Sequence, residues 1–292
     1  MERHSSVSAD FPSGQGLGMR RVLLHQRMVE RAGDCGVSLL WNAPVTGISE
    51  DGATAGGRQI RARWIVGADG SQSQVRRWSG LERTTQKDQR IARRRHYGVK
   101  PWLDFAEIHW GADAQAYVTP VSKEEVCVVL ISAKAGAGFE GSLRQFPELS
   151  RRVAWAPSVS PERGAMTSMH SLKRVYRGNV ALIGDASGSV DAITGEGLCL
   201  AFSQAAALAE ALEAGDLARY QKAHRILSRR PKFMGNLMLW LAAKRKLRKR
   251  AMLAMQEAPD VFARMLAFHV GEASVRQMVS AAASLGLWLL AA

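Results

Sequence analysis

At 292 residues the chain can bury one large hydrophobic core or two modest ones. Its apolar share of 47% and charged share of 23% are those of a soluble globular protein, not of a disordered or fibrous one. Lys and Arg number 40 against 26 Asp and Glu, a net charge of +14 that favours anionic partners: phosphate cofactors, anionic lipid surfaces or nucleic acid. The excess sits in clusters such as Arg93–Arg95 and Lys244–Arg250 and no nucleic-acid motif accompanies it, so no nucleic-acid partner is expected. Cys35, Cys127 and Cys199 are odd in number, widely separated and form no C-x-x-C pair. That argues against a disulfide framework or a zinc site and fits a reducing, cytoplasmic setting. Met1 to Ser6 lead into no apolar run, so no signal peptide is read there.

Residues 1–18 read as irregular, and the glycines from Gly14 to Gly18 have neither the spacing nor the preceding strand of a dinucleotide fingerprint. Met19 to Gly33 predicts a helix, with Val22, Leu23, Gln26, Val29 and Ala32 near one stripe and Gly33 and Gly36 ending it. Val37–Trp41 and Val45–Ile48 read as strands, followed by a turn at Glu50–Gly52. Gln59–Ala68 reads as one further strand, alternating through Ile60, Ala62, Trp64 and Val66. Asp69-Gly70 then turns the chain, Ser73 caps a helix holding Val75 and Trp78, and Gly80 ends it. Arg83–Arg95 is polar and basic without periodicity, a crossing segment between sheets. His96 to Leu130 alternates as antiparallel strands, with hairpins at Gly111–Asp113 and Ser122–Glu125, and supplies the face on which a substrate would rest. Phe139–Ala154 reads as helical and then loop-like.

The stretch from Gly178 to Gly197 carries the most chemistry. A short buried strand, Val180–Ile183, stops at Gly184-Asp185, and a glycine-broken loop leads to an apolar helix from about Leu198 to Leu212. Ligands of open α/β sheets lie beyond the carboxyl ends of the strands, and a helix N-terminus offers free amides and partial positive charge to phosphate. Asp185 is placed to accept hydrogen bonds from sugar-like hydroxyls, and Gly195 and Gly197 remove side chains that would keep a cofactor away. An ordinary β-loop-α turn with a surface Asp has the same pattern; the second strand ending in an acid, at Asp69, makes coincidence a poorer explanation. Beyond Gly215 the chain reads as helical. Asp216 caps one helix, Pro231 begins another that runs from Phe233 to Leu253, and Met265–Leu290 forms the last. The apolar run Ala281–Leu290 is shorter than the ~20 residues of a membrane-spanning helix and is read as packing. An amphipathic membrane-surface helix at 233–253 is the alternative to packing there.

Gly67-Ala-Asp-Gly70 with Ser73, Val75 and Arg76 resembles the middle fingerprint of the FAD-dependent monooxygenase superfamily, which includes aromatic hydroxylases, geranylgeranyl reductases and flavin halogenases. Gly184-Asp-Ala with Gly195-Glu-Gly197 and the helix Ala201–Leu212 resembles its later fingerprint. Arg21 with Leu24 and Ala32-Gly33 resembles its flavin-contacting, arginine-led helix, Arg20 being the neighbouring candidate. Tyr117–Pro120 resembles a strand end of its substrate domain. The resemblance implies that Asp185 bonds the ribityl chain of FAD. It places Gly184, Gly195, Glu196 and Gly197 at the pyrophosphate and flavin, Asp69 and Gly70 near the pyrophosphate, and Arg76 on cofactor phosphate. It further implies NAD(P)H as reductant, oxygen as oxidant in the monooxygenases, and hydride delivery to a carbon–carbon double bond in the reductases.

Three features depart from that pattern. No βαβ unit with G-x-G-x-x-G precedes Arg20, so the chain is expected to lack the family's N-terminal part and, alone, to bind FAD weakly or not at all. Ala186-Ser-Gly188 stands where many hydroxylases have Ala-Ala-His, and Ala192 where a Pro is common. Glu196 between its two glycines is shared with the reductase and halogenase relatives. No catalytic residue and no metal ligand is assigned; His25, His109, Glu107 and Asp113 read as satisfied or exposed groups. The expected fold is α/β: an N-terminally incomplete Rossmann-like FAD-binding domain (1–80 and 171–215), an inserted β-rich substrate domain (81–170) and a helical C-terminal region (216–292). The expected function is an NAD(P)H-linked, FAD-dependent monooxygenase on a hydrophobic or aromatic small molecule. The alternatives are a reductase of isoprenoid lipids and an inactive fragment.

Overall fold

The structure is a computed structural model that describes residues 5–278 apart from 82, 87, 88, 134, 135 and 137. The run Ala281–Leu290 lies outside the described residues. The chain divides into two compact units, Gly18–Ser228 and a second made of Met1–Leu17 with Arg229–Ala292.

The larger unit mixes helix and sheet. The sheet that ends in the two acids is short: β13 (Val180–Leu182) pairs in parallel with β4 (Ile65–Gly67) and antiparallel with β12 (Tyr176–Arg177). Every residue of β13 is buried because both faces are covered. Val180 and Leu182 pack with Ile65, Val75 and Leu81. Ala181 packs with Leu208 and Ala211 of α5 (Gly197–Glu213) and with Leu217 and Tyr220 of α6 (Leu217–Ala243). A parallel strand covered on both faces is a continuous apolar run, which is why this stretch is legible. A Cβ on Gly67 would lie 2.7–2.9 Å from Leu182 and Val75, so only glycine lets β4 sit this close to α2 (Gln74–Trp78).

The single strand expected over Gln59–Ala68 is two strands in two sheets. β1 (Val45–Ser49), β2 (Gly52–Ala55) and β3 (Arg58–Arg61) form an antiparallel meander, and β4 leaves it. The Ala62 amide bonds back to Asp51 at 3.0 Å, whereas the Ile65 amide bonds to Asn179 at 3.0 Å, so the backbone changes partner within three residues. Val37–Trp41 forms no strand: the Val37 amide closes α1 (Arg21–Asp34) on Ala32 at 2.9 Å, and no ladder receives the rest. No residue of α1 is buried.

The segment read as a crossing, Arg83–Arg95, holds strand β5 (Arg83–Gln86), paired with β11 (His170–Leu172), and most of β6 (Arg90–Tyr97). β6 joins a five-stranded antiparallel sheet in the order β10 (Arg163–Thr167), β6, β9 (Glu125–Ser132), β8 (Ala114–Ser122), β7 (Glu107–Trp110). Its arginines are accommodated by distant acids: Arg93 and Arg95 meet Glu162 at 3.4 and 3.1 Å, and Arg95 also meets Glu140. One face of this sheet, including Tyr97, Ala116, Val118, Val128 and Leu130, is buried under α3 (Gly138–Leu143) and α4 (Pro147–Val153) through Phe139, Leu143, Phe146 and Leu149.

The cap expected at Asp216 is present, its carboxylate accepting from the Ala218 amide at 2.9 Å. Pro231 lies inside α6 instead of starting a helix. Proline costs a helix one N–H bond but suits its φ, so a helix can run through it. The helix expected at 233–253 is therefore the end of α6 and the start of α7 (Arg245–Glu257), broken at Lys244. In the smaller unit the end of α6 and α8 (Pro259–Val270) share a core of Met234, Phe268 and Met278, and Phe233 meets Phe268 edge-on at 5.9 Å.

Candidate functional site

The two strand ends finish together. The Ile183 amide bonds to the Gly67 carbonyl at 3.0 Å, so the loops that follow β4 and β13 leave the sheet side by side. Gly184 adopts φ +56, the left-handed region glycine tolerates, and its amide bonds to Gln204 Oε1 at 2.8 Å. This turns the chain at the strand's end and points Asp185 outward. Ser187 O–H, buried beneath, contacts the Gly184 carbonyl at 2.8 Å and His224 Nε2 at 2.9 Å, and Tyr220 O–H donates to Leu182 at 2.7 Å.

Asp185 is exposed, and no protein donor bonds its carboxylate among the described residues. Its surroundings push its pKa up through loss of water, while the charge of Arg21, the first residue of α1, pulls it down. Just before α5, Gly195 has φ +69, and a Cβ on Gly195 or Gly197 would meet nothing within 4 Å. Glu196 is the N-cap residue of α5 and half-buried. The first amide bonded within that helix is Leu200, to Glu196 at 2.9 Å, so the amides of Gly197, Leu198 and Cys199 have no acceptor inside it. A 17-residue helix adds partial positive charge there.

Asp69 works as a cap. It accepts from the Gln74 and Val75 amides at 2.7 and 3.1 Å and from Ser73 O–H, and Ser73 Oγ accepts from the Arg76 amide at 2.9 Å. Burial opposes its ionisation, but the bonds from Ser73, Val75 and Gln74 hold its carboxyl below the usual range. Gly70, at φ +77, opens onto free space. Arg76 is only 5% exposed, and its guanidinium donates to the Ala186 and Ser71 carbonyls at 3.0 and 2.8 Å, tying the two loops together.

A second set of residues holds the loop before Gly195, and sequence reasoning passed over it. Asp191, 1% exposed, accepts from the Ile193 amide at 3.0 Å and is paired with Arg90 of β6, whose Nη1 donates to Gln115 Oε1 at 3.0 Å. Tyr117 O–H donates to the Ile193 carbonyl at 2.6 Å, and the Ala192 amide donates to Thr167 Oγ1 at 3.0 Å. The cue in sequence was Asp191 itself, an acid set between Val190 and Ala192.

An exposed acid without a protein donor, glycines that leave open space, free helix amides and a nearby arginine fit the sugar-alcohol and phosphate portion of FAD. Solved structures share the fold. Flavin-dependent brominase Bmp2 superposes with a TM-score of 0.72 at 17% identity, covering 94% of this chain and 74% of that one. OxyS anhydrotetracycline hydroxylase from Streptomyces rimosus superposes at 0.62 with 19% identity, covering 85% and 56%. The fold is thus that of the flavin-dependent monooxygenases and halogenases. Residues 22–215 match the FAD binding domain family, and the chain belongs to that family, within the FAD-dependent monooxygenase superfamily. Among curated relatives, ubiquinone hydroxylase UbiL of Rhodospirillum rubrum is 27% identical over 227 residues, 71% of this chain and 52% of that protein. Digeranylgeranylglycerophospholipid reductase 1 of Methanococcoides burtonii is 32% identical over 82 residues, 25% of this chain and 20% of that protein. The chain thus spans about half of the hydroxylase and a fifth of the reductase.

Proposed function

We propose that the protein is an FAD-dependent monooxygenase, reduced by NADH or NADPH, that oxidises a hydrophobic or aromatic small molecule. The observation that carries this is the Asp185 carboxylate at a strand end, without a protein donor among the described residues, in a turn that packs on α5 through Gly184. In this reading Asp185 accepts from the ribityl hydroxyls, and the α5 amides with Gly195, Glu196 and Gly197 lie along the phosphates and flavin. Gly184, Asp69 and Gly70 shape the same cradle, and Arg21 and Arg76 set its charge. FAD, when bound, supplies the redox chemistry; the chain binds it, orients it and excludes water. The hydroxylase relative supports a monooxygenase. A second reading, a reductase of isoprenoid lipids, is favoured by the phospholipid reductase match. Oxygen uptake with NADPH separates the two, because a reductase turns over anaerobically.

The test is an FAD titration read by quenching of flavin fluorescence. The chain alone is expected to bind weakly, since β4 is the edge of its sheet and α1 buries nothing among the described residues. Asp185→Ala is expected to weaken binding by about a further tenfold or more, the loss of charged hydrogen bonds worth roughly 1.5–3 kcal/mol. Unchanged affinity in the variant removes Asp185 from the site; stoichiometric flavin on the purified chain removes the expectation of weak binding.

Peripheral membrane contact through 233–253 is part of the proposal. Phe233, Trp240 and Leu253 are exposed large apolar residues there, and Arg245, Lys246, Lys249 and Arg250 lie exposed along α7. Among the described residues no helix is long and apolar enough to cross a membrane. The chain should sediment with phosphatidylglycerol vesicles and not with phosphatidylcholine vesicles, and K246E with K249E should release it. Equal sedimentation with both vesicle types would refute the contact.

A further inference from the structure

Among the described residues, the five-stranded sheet has one face outside the core that it forms with α3 and α4. Side chains alternate between faces along a strand. The register sets Arg94 opposite Val129 and Val129 opposite Tyr117, and it sets His96, Cys127 and Thr119 in the next row of the same face. The other face is the one packed on α3 and α4. At one end the Arg94 face meets the loop before Gly195, through Tyr117 on Ile193 and Arg90 on Asp191. At the other end it meets the start of α1. A Cβ on Gly18 would lie 1.8 Å from the Pro120 carbonyl, and Arg20 pairs with Glu125 at 3.4 Å. Arg94, Val129 and Tyr117 therefore form a half-buried floor between two of the segments that shape the proposed cofactor cradle.

The arginines of β6 are compensated unevenly. On this face Arg90 pairs with Asp191, and on the opposite face Arg93 meets Glu162 and Arg95 meets Glu140 and Glu162. Arg94 meets no carboxylate among the described residues, and its contact is His96 Nδ1 at 3.1 Å. A guanidinium presents five donors in a fork matched to a carboxylate, and a half-buried one without a counter-ion is costly to keep. The neighbours do not supply the missing charge. Burial, then Arg94 and Arg20, hold His96 down at about 4, so its ring is neutral. Burial pushes the Cys127 thiol up to about 11 despite Arg94, so it is not a thiolate.

We propose that the substrate is an acid, with an apolar or aromatic body over Val129 and Tyr117 and a carboxylate held by Arg94. This rests on the reading of the site as a small-molecule oxidoreductase, and it deepens that reading by naming the substrate's charge. The test uses no flavin, so the two ideas fail separately. Naphthoate and its neutral amide, naphthamide, are titrated against the full chain by ligand fluorescence. Naphthoate is expected to bind about tenfold tighter or more, the size of one charged hydrogen-bonded pair. Arg94→Gln should abolish the difference, Arg94→Lys should keep part of it, and Arg61→Gln on the exposed strand β3 should leave it intact. Equal binding of the two probes, no binding of either, or a preference that survives Arg94→Gln overturns the proposal. So does displacement of naphthoate by equimolar inorganic phosphate, which would mark a phosphate site. If Arg94→Gln does not fold, Glu125→Gln decides: removing this negative charge, two residues along β9 from Cys127 on the same face, should tighten naphthoate severalfold, and no tightening overturns the proposal. Anion preference without FAD binding would keep this site and remove the flavin reading; FAD binding without anion preference would do the reverse.

Discussion

Arg90→Met should destabilise the larger unit by about 3–5 kcal/mol, because it leaves the Asp191 carboxylate buried without its cation. Asp191 is 1% exposed and Arg90 11%, so water cannot replace the lost partner. For a unit of this size the cost corresponds to a fall in melting temperature of roughly 6–20 °C. Arg90→Lys should fall between, since an ammonium cannot reproduce the guanidinium's two-pronged grip through Nη2 and Nε, the latter at 3.3 Å. The double variant Arg90→Met with Asp191→Leu should be less destabilised than Arg90→Met alone, because it buries no orphan charge. Thermal melts of the three variants test this. A shift of less than about 1 kcal/mol for Arg90→Met would mean the pair is more hydrated than its burial indicates. The consequence reaches the proposed site, since Asp191 holds the turn Ala192–Thr194 immediately before Gly195.

Acid should destabilise the fold through His96. Burial first, then Arg94 and Arg20, lower its pKa from 6.5 to about 4. Between those values the unfolded chain takes up a proton that the folded chain refuses, so stability is fully present above the unfolded pKa and falls as pH drops towards the folded one. A depression of this size is worth about 3 kcal/mol across the window. Urea midpoints measured at about pH 7.5 and about pH 4.5 should fall more steeply for the native chain than for His96→Gln, after other acid-sensitive groups are shared between them. Parallel falls in the two proteins would show that His96 takes no part. The buried contacts of His96 with Ser160, at 3.1 Å from its amide and 2.9 Å from Nδ1, locate the group that resists protonation.

Local chemistry made much of this protein readable from its residues alone. Ser73 as a cap depends on a contact three residues away, Asp216 on one two residues away, and the hairpin turns on a few residues each. The two strand-end acids and the glycines around them belong to the same class, and they led to the right family because spacing within some 20 residues encodes them. The β13 strand was legible because burial on both faces leaves an unbroken apolar run.

Tertiary structure decided what depends on partners far along the chain. Arg83–Arg95 read as a crossing segment because carboxylates that its arginines meet lie far along the chain; Arg95 finds Glu140 45 residues on, and Arg90 finds Asp191 101 residues on. Arg76 ties to Ala186 across 110 residues, a use that its place in a short motif does not show. The switch of β4 out of the β1–β3 meander rests on Asn179, and the helix that runs through Pro231 is set by context that propensity underrates. The sequence by itself determined the family, the two acid-bearing turns and the caps, because glycine spacing and capping act within a few residues. Only the folded chain could decide which arginines of β6 meet a carboxylate and that Arg94, among the described residues, does not, because charge compensation depends on distance in space.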